Sequence, residues 1–180
     1  PGRAISRAEE TRLLARASMY DAAVFRVLIS TGMRVSELCG LDLADLRGDA
    51  LTIRHGKGGR ERTAYLPPRA LAAVRRWLGE RGSEPGPLFA RRPGRRPTRD
   101  VVVAVLDRLC RDAGVPRITP HDCRRTVASR LLDAGVDLGT AKGVTGHQSA
   151  EVFLSYDRRG EERIRAAAAL VETAQGGAAG

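Results

Sequence analysis

One histidine and one arginine have a spacing that suits the binding of an anion. His121 and Arg124 lie three residues apart, and residues at that spacing share one face of a helix. Thr119 is a residue type that caps helix N-termini, so both side chains are expected in the first turns, close to N–H groups without helical partners. The pattern is short and recurs by chance. A surface histidine beside a solvated arginine is the alternative interpretation.

A second arginine follows an expected helix end. Gly32 is predicted to end one helix, and Arg34 begins the next with Glu37 one turn later. A carboxylate at that spacing can hold a guanidinium in one orientation through paired hydrogen bonds. The alternative is an ordinary ion pair within a helix, which contributes about 0.2–0.5 kcal/mol.

A lysine lies in a glycine-rich turn between two alternating segments. Residues 51–55 and 62–66 flank the sequence Gly-Lys-Gly-Gly at 56–59, a pattern typical of a β-hairpin. A lysine at the tip of such a turn, here Lys57, can swing over a phosphate and donate a proton to a leaving oxygen. A basic hairpin tip that serves solubility is the alternative.

The last candidates lie near the C-terminal end of the sequence. His147 follows Gly146, and Tyr156 comes nine residues after the histidine in an otherwise polar context. A core tyrosine would be the ordinary interpretation of Tyr156. The other two tyrosines, Tyr20 and Tyr65, lie in helix and strand patterns that explain them.

These residues must be positioned by a fold that is mainly α with one small antiparallel β-sheet (α+β). Hydrophobic spacing and capping residues predict the helices. Trp77 is expected in the core. In chain order, the first predicted helices cover about 7–18, Asp21 (its cap) to Gly32, a short segment from near Arg34, and a segment that begins after Pro67-Pro68. The next two run from Val101 to Gly114 and from Thr119 to Gly135. Two shorter helices are expected around Gly146-His147 and Ser149–Tyr156, and a last one over about 161–174.

The charge balance favours a nucleic-acid partner. The 180 residues include 31 Lys+Arg and 21 Asp+Glu, a net charge of +10, and 29 of the 31 positive residues are arginine. The guanidinium fork suits phosphate oxygens, although arginine-rich codon usage explains much of the bias. Residues 82–99 are predicted to form a Gly/Pro-rich loop. DNA contacts are expected from Arg91, Arg92, Arg95, Arg96, Arg99 and Arg125.

Composition also excludes several classes of protein. With 42% hydrophobic and 29% charged residues, the chain is neither disordered nor a membrane protein, and no segment approaches the roughly 20 apolar residues of a bilayer span. Cys39, Cys110 and Cys123 lie far apart and form no CxxC pair. A disulfide framework or zinc site is therefore not expected, and a reducing cytoplasm is the expected location.

Taken together, the candidates occur in the order Arg…Lys…His-x-x-Arg…Gly-His…Tyr. The chain resembles the catalytic domain of tyrosine site-specific recombinases, the family of phage integrases and Xer-type recombinases. The segments TGMRVSEL, GKGGRERTAYLP, HDCRRTVASRLLDAG and TGHQS followed by tyrosine carry the resemblance. It extends from the helix at Ser6 to the helix after Tyr156. Departures are Glu151-Val152-Phe153 where threonines are common, Thr145 in place of a frequent leucine, and Asp-Cys after His121 instead of an apolar pair.

The resemblance implies a nucleophile and two phosphate-binding cations. Tyr156 would attack a DNA phosphodiester, forming a 3′-phosphotyrosyl link and releasing a 5′-hydroxyl. Arg34 and Arg124 would hold non-bridging oxygens and stabilise charge in the transition state. Glu37 would support Arg34.

The resemblance also implies how protons move. Lys57 would protonate the departing 5′-oxygen, His121 would exchange a proton with Tyr156, and His147 would donate a hydrogen bond to the phosphate. The covalent intermediate conserves the bond energy, so no cofactor, neither ATP nor metal, is implied. Consistently, the sequence has no GxxxxGKS loop and no carboxylate cluster suited to Mg²⁺.

The expected organisation is a catalytic core over 6–159, a C-terminal helix over 160–175 that docks in cis or in trans, and a flexible tail over 176–180. The sequence begins at the first helix of the expected catalytic domain, so we expect the family's N-terminal core-binding domain to be absent and the chain to be a fragment of a longer recombinase, with a naturally minimal enzyme as the alternative. The expected partner is double-stranded DNA at specific sites, bound by a tetramer on paired sites, with a monomer in isolation. Topoisomerase-like relaxation and a non-catalytic DNA-binding regulator are the alternatives, followed by a basic helical interaction domain.

Overall fold

The computed structural model describes residues 2–54 and 61–146. Seven helices and a three-stranded sheet lie in these ranges. The helices are α1 Arg7–Ala15, α2 Met19–Thr31, α3 Val35–Gly40, α4 Pro68–Arg81, α5 Arg99–Ala113, α6 Pro120–Asp133 and α7 Leu138–Thr145. The strands are β1 Leu46–Arg47, β2 Ala50–Ile53 and β3 Arg62–Tyr65, and a short 3-10 helix spans Leu43–Asp45.

Helix α2 forms the centre of the core and packs against α4, α5 and α6. It ends at Gly32, where the backbone is left-handed with φ 61°, and this confirms the predicted helix end. The predicted cap at Asp21 is wrong: the Ser18 side chain caps α2 by accepting a hydrogen bond from the Asp21 amide. Asp21 instead lies in the first turn and accepts two hydrogen bonds from Arg108, at 2.6 and 2.9 Å.

The predicted hairpin strands are present in an antiparallel sheet of order β1-β2-β3. Leu51 lies opposite Ala64, and both are buried. The two-residue strand β1 was not predicted, since two residues show no alternation. The turn at 56–59 and its Lys57 lie outside the described residues.

The aromatic core forms where α2 meets α4. Trp77 is 3% exposed, as predicted, and its indole N–H donates to the Leu88 carbonyl at 2.9 Å. Tyr20 packs edge-on against it, with ring centroids 5.0 Å apart. The hydrogen bond from Trp77 to Leu88 fixes the loop after α4 against the core.

Helices α6 and α7 carry the C-terminal part of the described structure. Thr119 caps α6, as predicted, and a small cluster of Ala128, Leu132 and Ala141 joins α6 to α7. The left-handed Gly146 ends α7 at φ 68°. The predicted helices at Ser149–Tyr156 and about 161–174 lie outside the described residues.

Two predicted boundaries are wrong. Helix α1 ends at Ala15 rather than near 18, because Ser18 starts the next helix. Arg99 is the first residue of α5, capped by Thr98, and so does not belong to the preceding loop.

No helix in residues 2–54 and 61–146 is long and apolar enough to cross a membrane. These residues also contain no cluster of three His, Cys, Asp or Glu side chains that could hold a metal ion.

Substituting alanine at two left-handed helix ends tests how closely α2 approaches its neighbours. A Cβ at Gly32 would lie 3.2 Å from both Thr145 Cγ2 and Val127 Cβ, whereas a Cβ at Gly114, with φ 59°, would meet nothing within 4 Å. We expect Gly114→Ala to lower the free energy of unfolding by about 1–2 kcal/mol through backbone strain. Gly32→Ala should lose about 1–3 kcal/mol more through overpacking. Urea denaturation measures both, and equal losses would contradict this account of the packing.

Candidate active site

The last turn of α7 binds three guanidinium groups from three other parts of the chain. The Val144 carbonyl accepts a hydrogen bond from Arg62 Nη1 at 3.1 Å, the Thr145 carbonyl accepts one from Arg124 Nη1, and the Gly146 carbonyl accepts one from Arg34 Nη2 at 3.1 Å. Carbonyls at a helix C-terminus lack helical partners and carry the negative end of the helix dipole. They are therefore suited to cations.

Arg34 is fixed at both of its terminal nitrogens. It occupies the N-cap position of α3, where its backbone N–H donates to Glu37 Oε2 at 2.8 Å and its Nη1 donates to Glu37 Oε1 at 3.0 Å. The ion pair predicted between the two residues is therefore present. The Glu37 side chain is only 1% exposed and that of Arg34 is 29% exposed. A buried carboxylate thus holds a guanidinium that remains partly open to solvent.

Arg124 approaches the same helix end from α6. The residue is 6% exposed, and Nη1 donates to the Gly32 carbonyl at 2.7 Å as well as to Thr145. One nitrogen therefore joins the end of α2 to the end of α7. Thr145 is fully buried, and its hydroxyl donates to the Ala141 carbonyl at 2.9 Å. The buried hydroxyl of Thr145 therefore has an acceptor within its own helix.

The N-terminus of α6 presents His121 at the surface. His121 is exposed in the first turn, whereas Arg124 one turn later is buried. Asp122 accepts hydrogen bonds from the Thr119 amide and hydroxyl, at 2.8 and 2.7 Å, and from the Arg3 amide at 2.8 Å. Burial raises the pKa of Asp122, yet these hydrogen bonds outweigh it and hold the pKa below its usual value. After His121, Asp122 thus completes the capping box that Thr119 begins, and Cys123 is buried in the core.

Comparison with known proteins identifies the family. Residues 3–163 match the phage integrase family. The chain belongs to that family. It is 36% identical over 150 residues to tyrosine recombinase XerC of Corynebacterium glutamicum, covering 81% of this chain and 49% of that protein. It is 32% identical over 165 residues to tyrosine recombinase XerA of Pyrococcus furiosus, covering 87% and 57%. The chain thus spans about half the length of these relatives.

Solved structures share the fold. A crystal structure of XerA recombinase superposes with a TM-score of 0.78 at 25% identity, covering 91% of this chain and 63% of that one. The Tn1549 transposon integrase in complex with transposon right end DNA gives 0.80 at 21% identity, covering 96% and 66%. The predicted fold class is therefore confirmed as that of the recombinase catalytic domain.

Arg62 is a member of the site that the sequence analysis missed. Its Nη2 donates to Glu37 Oε2 at 2.9 Å. The Glu37 carboxylate therefore binds two guanidinium groups, those of Arg34 and Arg62. A signal was available in the strand alternation, because Ala64 and Leu66, on the same side of the strand as Arg62, are buried. An arginine on the inward face of a strand requires an acceptor in the interior.

The structure brings together part of the predicted set. Arg34 and Arg124 converge at the end of α7 beside Glu37, and His121 lies one turn before Arg124. Their catalytic roles stay predictions. The other predicted members, Lys57, His147 and Tyr156, lie outside the described residues.

The arginines predicted to contact DNA differ in their surroundings. Arg96 binds the Asp42 carboxylate at 2.5 Å and the carbonyls of Cys39 and Leu41 at 3.0 and 3.2 Å. Arg91 lies over the Tyr20 ring, 5.3 Å from its centroid. Arg96 therefore holds the loop to the segment after α3. All five arginines of residues 91–99 are exposed: Arg91, Arg92, Arg95, Arg96 and Arg99. Arg125 is half-buried on α6.

Arg124 donates to two carbonyls, and a substitution that keeps its charge tests how much these hydrogen bonds contribute to stability. Arg124→Lys replaces a planar fork by a single ammonium that cannot reproduce the geometry. We expect a loss of about 1.5–3 kcal/mol in the free energy of unfolding, the size of one hydrogen bond to a charged group. The exposed Arg12 on α1 serves as the control, and Arg12→Lys should change stability by less than about 0.5 kcal/mol. Urea unfolding measures both. Similar values would show that the contacts of Arg124 contribute nothing to stability.

Proposed function

We propose that this chain contains the catalytic part of a site-specific DNA recombinase that cuts and rejoins strands through a 3′-phosphotyrosyl intermediate. One observation carries the proposal. Arg34 and Arg124, from separate helices, are held at adjacent carbonyls of the turn that directly precedes His147 in the sequence. The names of the relatives, tyrosine recombinases XerC and XerA, support the same activity.

The geometry suits charge stabilisation at a phosphate. A guanidinium has five N–H donors, so a residue anchored on the protein by one edge can present other donors to a non-bridging oxygen. Cations fixed before the substrate arrives need no reorganisation as charge develops in the transition state. Arg34 and Arg124 fill this role in the proposal, and His147 adds a hydrogen bond to the same phosphate.

Tyr156 is the nucleophile in this proposal, and the other tyrosines are poorer candidates. Tyr20 is 4% exposed, and burial raises the pKa of its hydroxyl to about 12. A hydroxyl that is buried in the core is not accessible to a DNA phosphate. Tyr65 is 68% exposed on β3, but it belongs to the hairpin pattern and not to the C-terminal position at which the resemblance places the nucleophile.

The covalent step balances without a further reactant. The Tyr156 oxygen forms a bond to phosphorus and loses its proton with the help of His121, while the bond to the 5′-oxygen breaks and Lys57 protonates that oxygen. Religation reverses these transfers, with the incoming 5′-hydroxyl as nucleophile. The phosphodiester energy is retained in the phosphotyrosyl bond.

The proposed assembly follows from charge and from the family. The net charge of +10 suits duplex DNA, and we propose a tetramer on paired sites that acts in the cytoplasm. Residues 6–159 form the proposed catalytic core. We also propose that the segment 160–175 forms a helix that docks in cis or on a neighbouring subunit.

Trapping of the covalent intermediate tests the proposal. On nicked duplexes carrying candidate attachment sites, the wild-type chain should form a protein–DNA adduct that denaturing gels resolve. Tyr156→Phe should abolish the adduct while DNA affinity changes less than about twofold, because only one hydroxyl is lost among many phosphate contacts. Tyr65→Phe is the matched control and should retain full adduct formation.

Two results would contradict the proposal: adduct that persists in Tyr156→Phe, or no adduct from wild-type protein bound to cognate DNA. Adduct with relaxation of supercoiled plasmid but without exchange of strands between two duplexes would instead indicate a topoisomerase. DNA binding without adduct would indicate a regulator.

A further inference from the structure

Glu37 binds one more guanidinium than its charge requires. Arg34 alone would neutralise the carboxylate, and it already donates twice, from its backbone N–H and from Nη1. Arg62 Nη2 adds a third donor at 2.9 Å to a side chain that is 1% exposed. A second cation beside the first is unfavourable in itself. The arrangement therefore needs a compensating interaction.

That compensation comes from the C-terminal end of α7. Arg62 Nη1 donates to the Val144 carbonyl at 3.1 Å, at the negative end of the helix. The guanidinium also lies against the Gly146 turn, since a Cβ at Gly146 would lie 2.6 Å from Arg62 Nε. A larger residue at 146 would therefore displace Arg62, in addition to the cost of the left-handed backbone.

Arg62 is directed at the protein rather than at a ligand. Nη1 and Nη2 are bound to Val144 and Glu37, Nε is buried, and the side chain is only 16% exposed. Glu37 also binds Arg34 directly, and the Gly146 carbonyl, two residues after Val144 in the same turn, accepts a hydrogen bond from Arg34. Moving Arg62 would therefore release the carboxylate and the helix end that orient Arg34.

We propose that Arg62 is a positioning residue that fixes the direction of the Arg34 guanidinium through Glu37 and through the last turn of α7. It also ties β3, which follows Lys57 in the sequence, to the turn that precedes His147. This inference rests on the proposed function for its effect on rate. Its structural part, the restraint on Arg34, holds with or without DNA chemistry.

A matched arginine provides the control. Arg130 Nη2 binds the Glu10 carboxylate at 2.8 Å and the Ile5 carbonyl at 3.2 Å, and its side chain is 24% exposed. Arg62 and Arg130 thus each join a buried carboxylate to one backbone carbonyl, but Arg130 does so outside the candidate site. Arg62→Met and Arg130→Met remove the same kind of contact while keeping most of the side-chain stem.

Single-turnover adduct formation at saturating nicked DNA is the first readout. Arg62→Met should slow it by about 10- to 100-fold, the effect expected of a misplaced group at a reacting centre, with DNA Kd changed less than about threefold, since affinity rests on many phosphate contacts. Arg130→Met should lower the melting temperature to a similar extent and leave the rate within about twofold, because its partners Glu10 and Ile5 bind none of the site arginines Arg34, Arg62 and Arg124. Arg62→Lys should be intermediate.

A double-mutant cycle tests whether Arg62 acts through Glu37. In a Glu37→Gln background, Arg62→Met should cost less than about threefold in rate, because residues acting through one contact are non-additive. Independent, multiplying losses would overturn the inference, and so would equal rates for Arg62→Met and Arg130→Met.

NMR relaxation of the DNA-free protein gives a readout that does not depend on activity. The Arg34 Nε–H order parameter should be near 0.85 in wild type and in Arg130→Met, and below about 0.6 in Arg62→Met. An unchanged order parameter in Arg62→Met overturns the inference even if no adduct forms. Failure of wild-type adduct formation with a loosened Arg34 in Arg62→Met would contradict only the proposed function.

Discussion

The last turn of α7 leaves carbonyl oxygens that its own backbone cannot satisfy, and the arrangement of the candidate site follows from how they are satisfied. Three consecutive carbonyls accept hydrogen bonds from arginines on β3, on α6 and at the start of α3. The same hydrogen bonds therefore end a helix and orient the cations. Gly146 makes this possible, because its left-handed backbone turns the chain and its missing Cβ leaves room for Arg62.

Glu37 supplies the second constraint, that of charge. Three guanidinium groups gather around one helix end, and Glu37 is the carboxylate that pairs with two of them. The helix dipole offsets part of the remaining charge. The cluster therefore retains positive potential, which a phosphodiester would neutralise. Cations held in this way match the preorganised electrostatics expected for phosphoryl transfer.

Local sequence predicted the parts of the site that local interactions determine. The end of α2 at Gly32, the Arg34–Glu37 pair and the Thr119 cap all involve residues within four positions of one another. The wrong or missed predictions involve two residues that compete for one cap, or residues that are far apart in the sequence. Ser18 and Asp21 are both capable caps three residues apart, and only packing of α2, with Asp21 bound by Arg108, decides between them.

Long-range pairs could not be predicted from local pattern. Arg62 meets Glu37 across 25 positions, and Arg96 meets Asp42 across 54. Both arginines resemble surface charges in the sequence. The inward alternation of β3 was the one local sign for Arg62, and Arg96 in its loop has no comparable sign.

Contacts within the protein hold Arg34 and Arg124 in place before DNA binds. A crystal structure of the chain with duplex DNA and vanadate at the scissile position, as a mimic of the transition state, tests this placement most directly. We expect Arg34 Nη2 to stay at hydrogen-bond distance from the Gly146 carbonyl and Arg124 Nη1 to stay on the Gly32 and Thr145 carbonyls. Both residues should also donate to vanadate oxygens. Arginines that leave these carbonyls to reach the vanadate would contradict this placement.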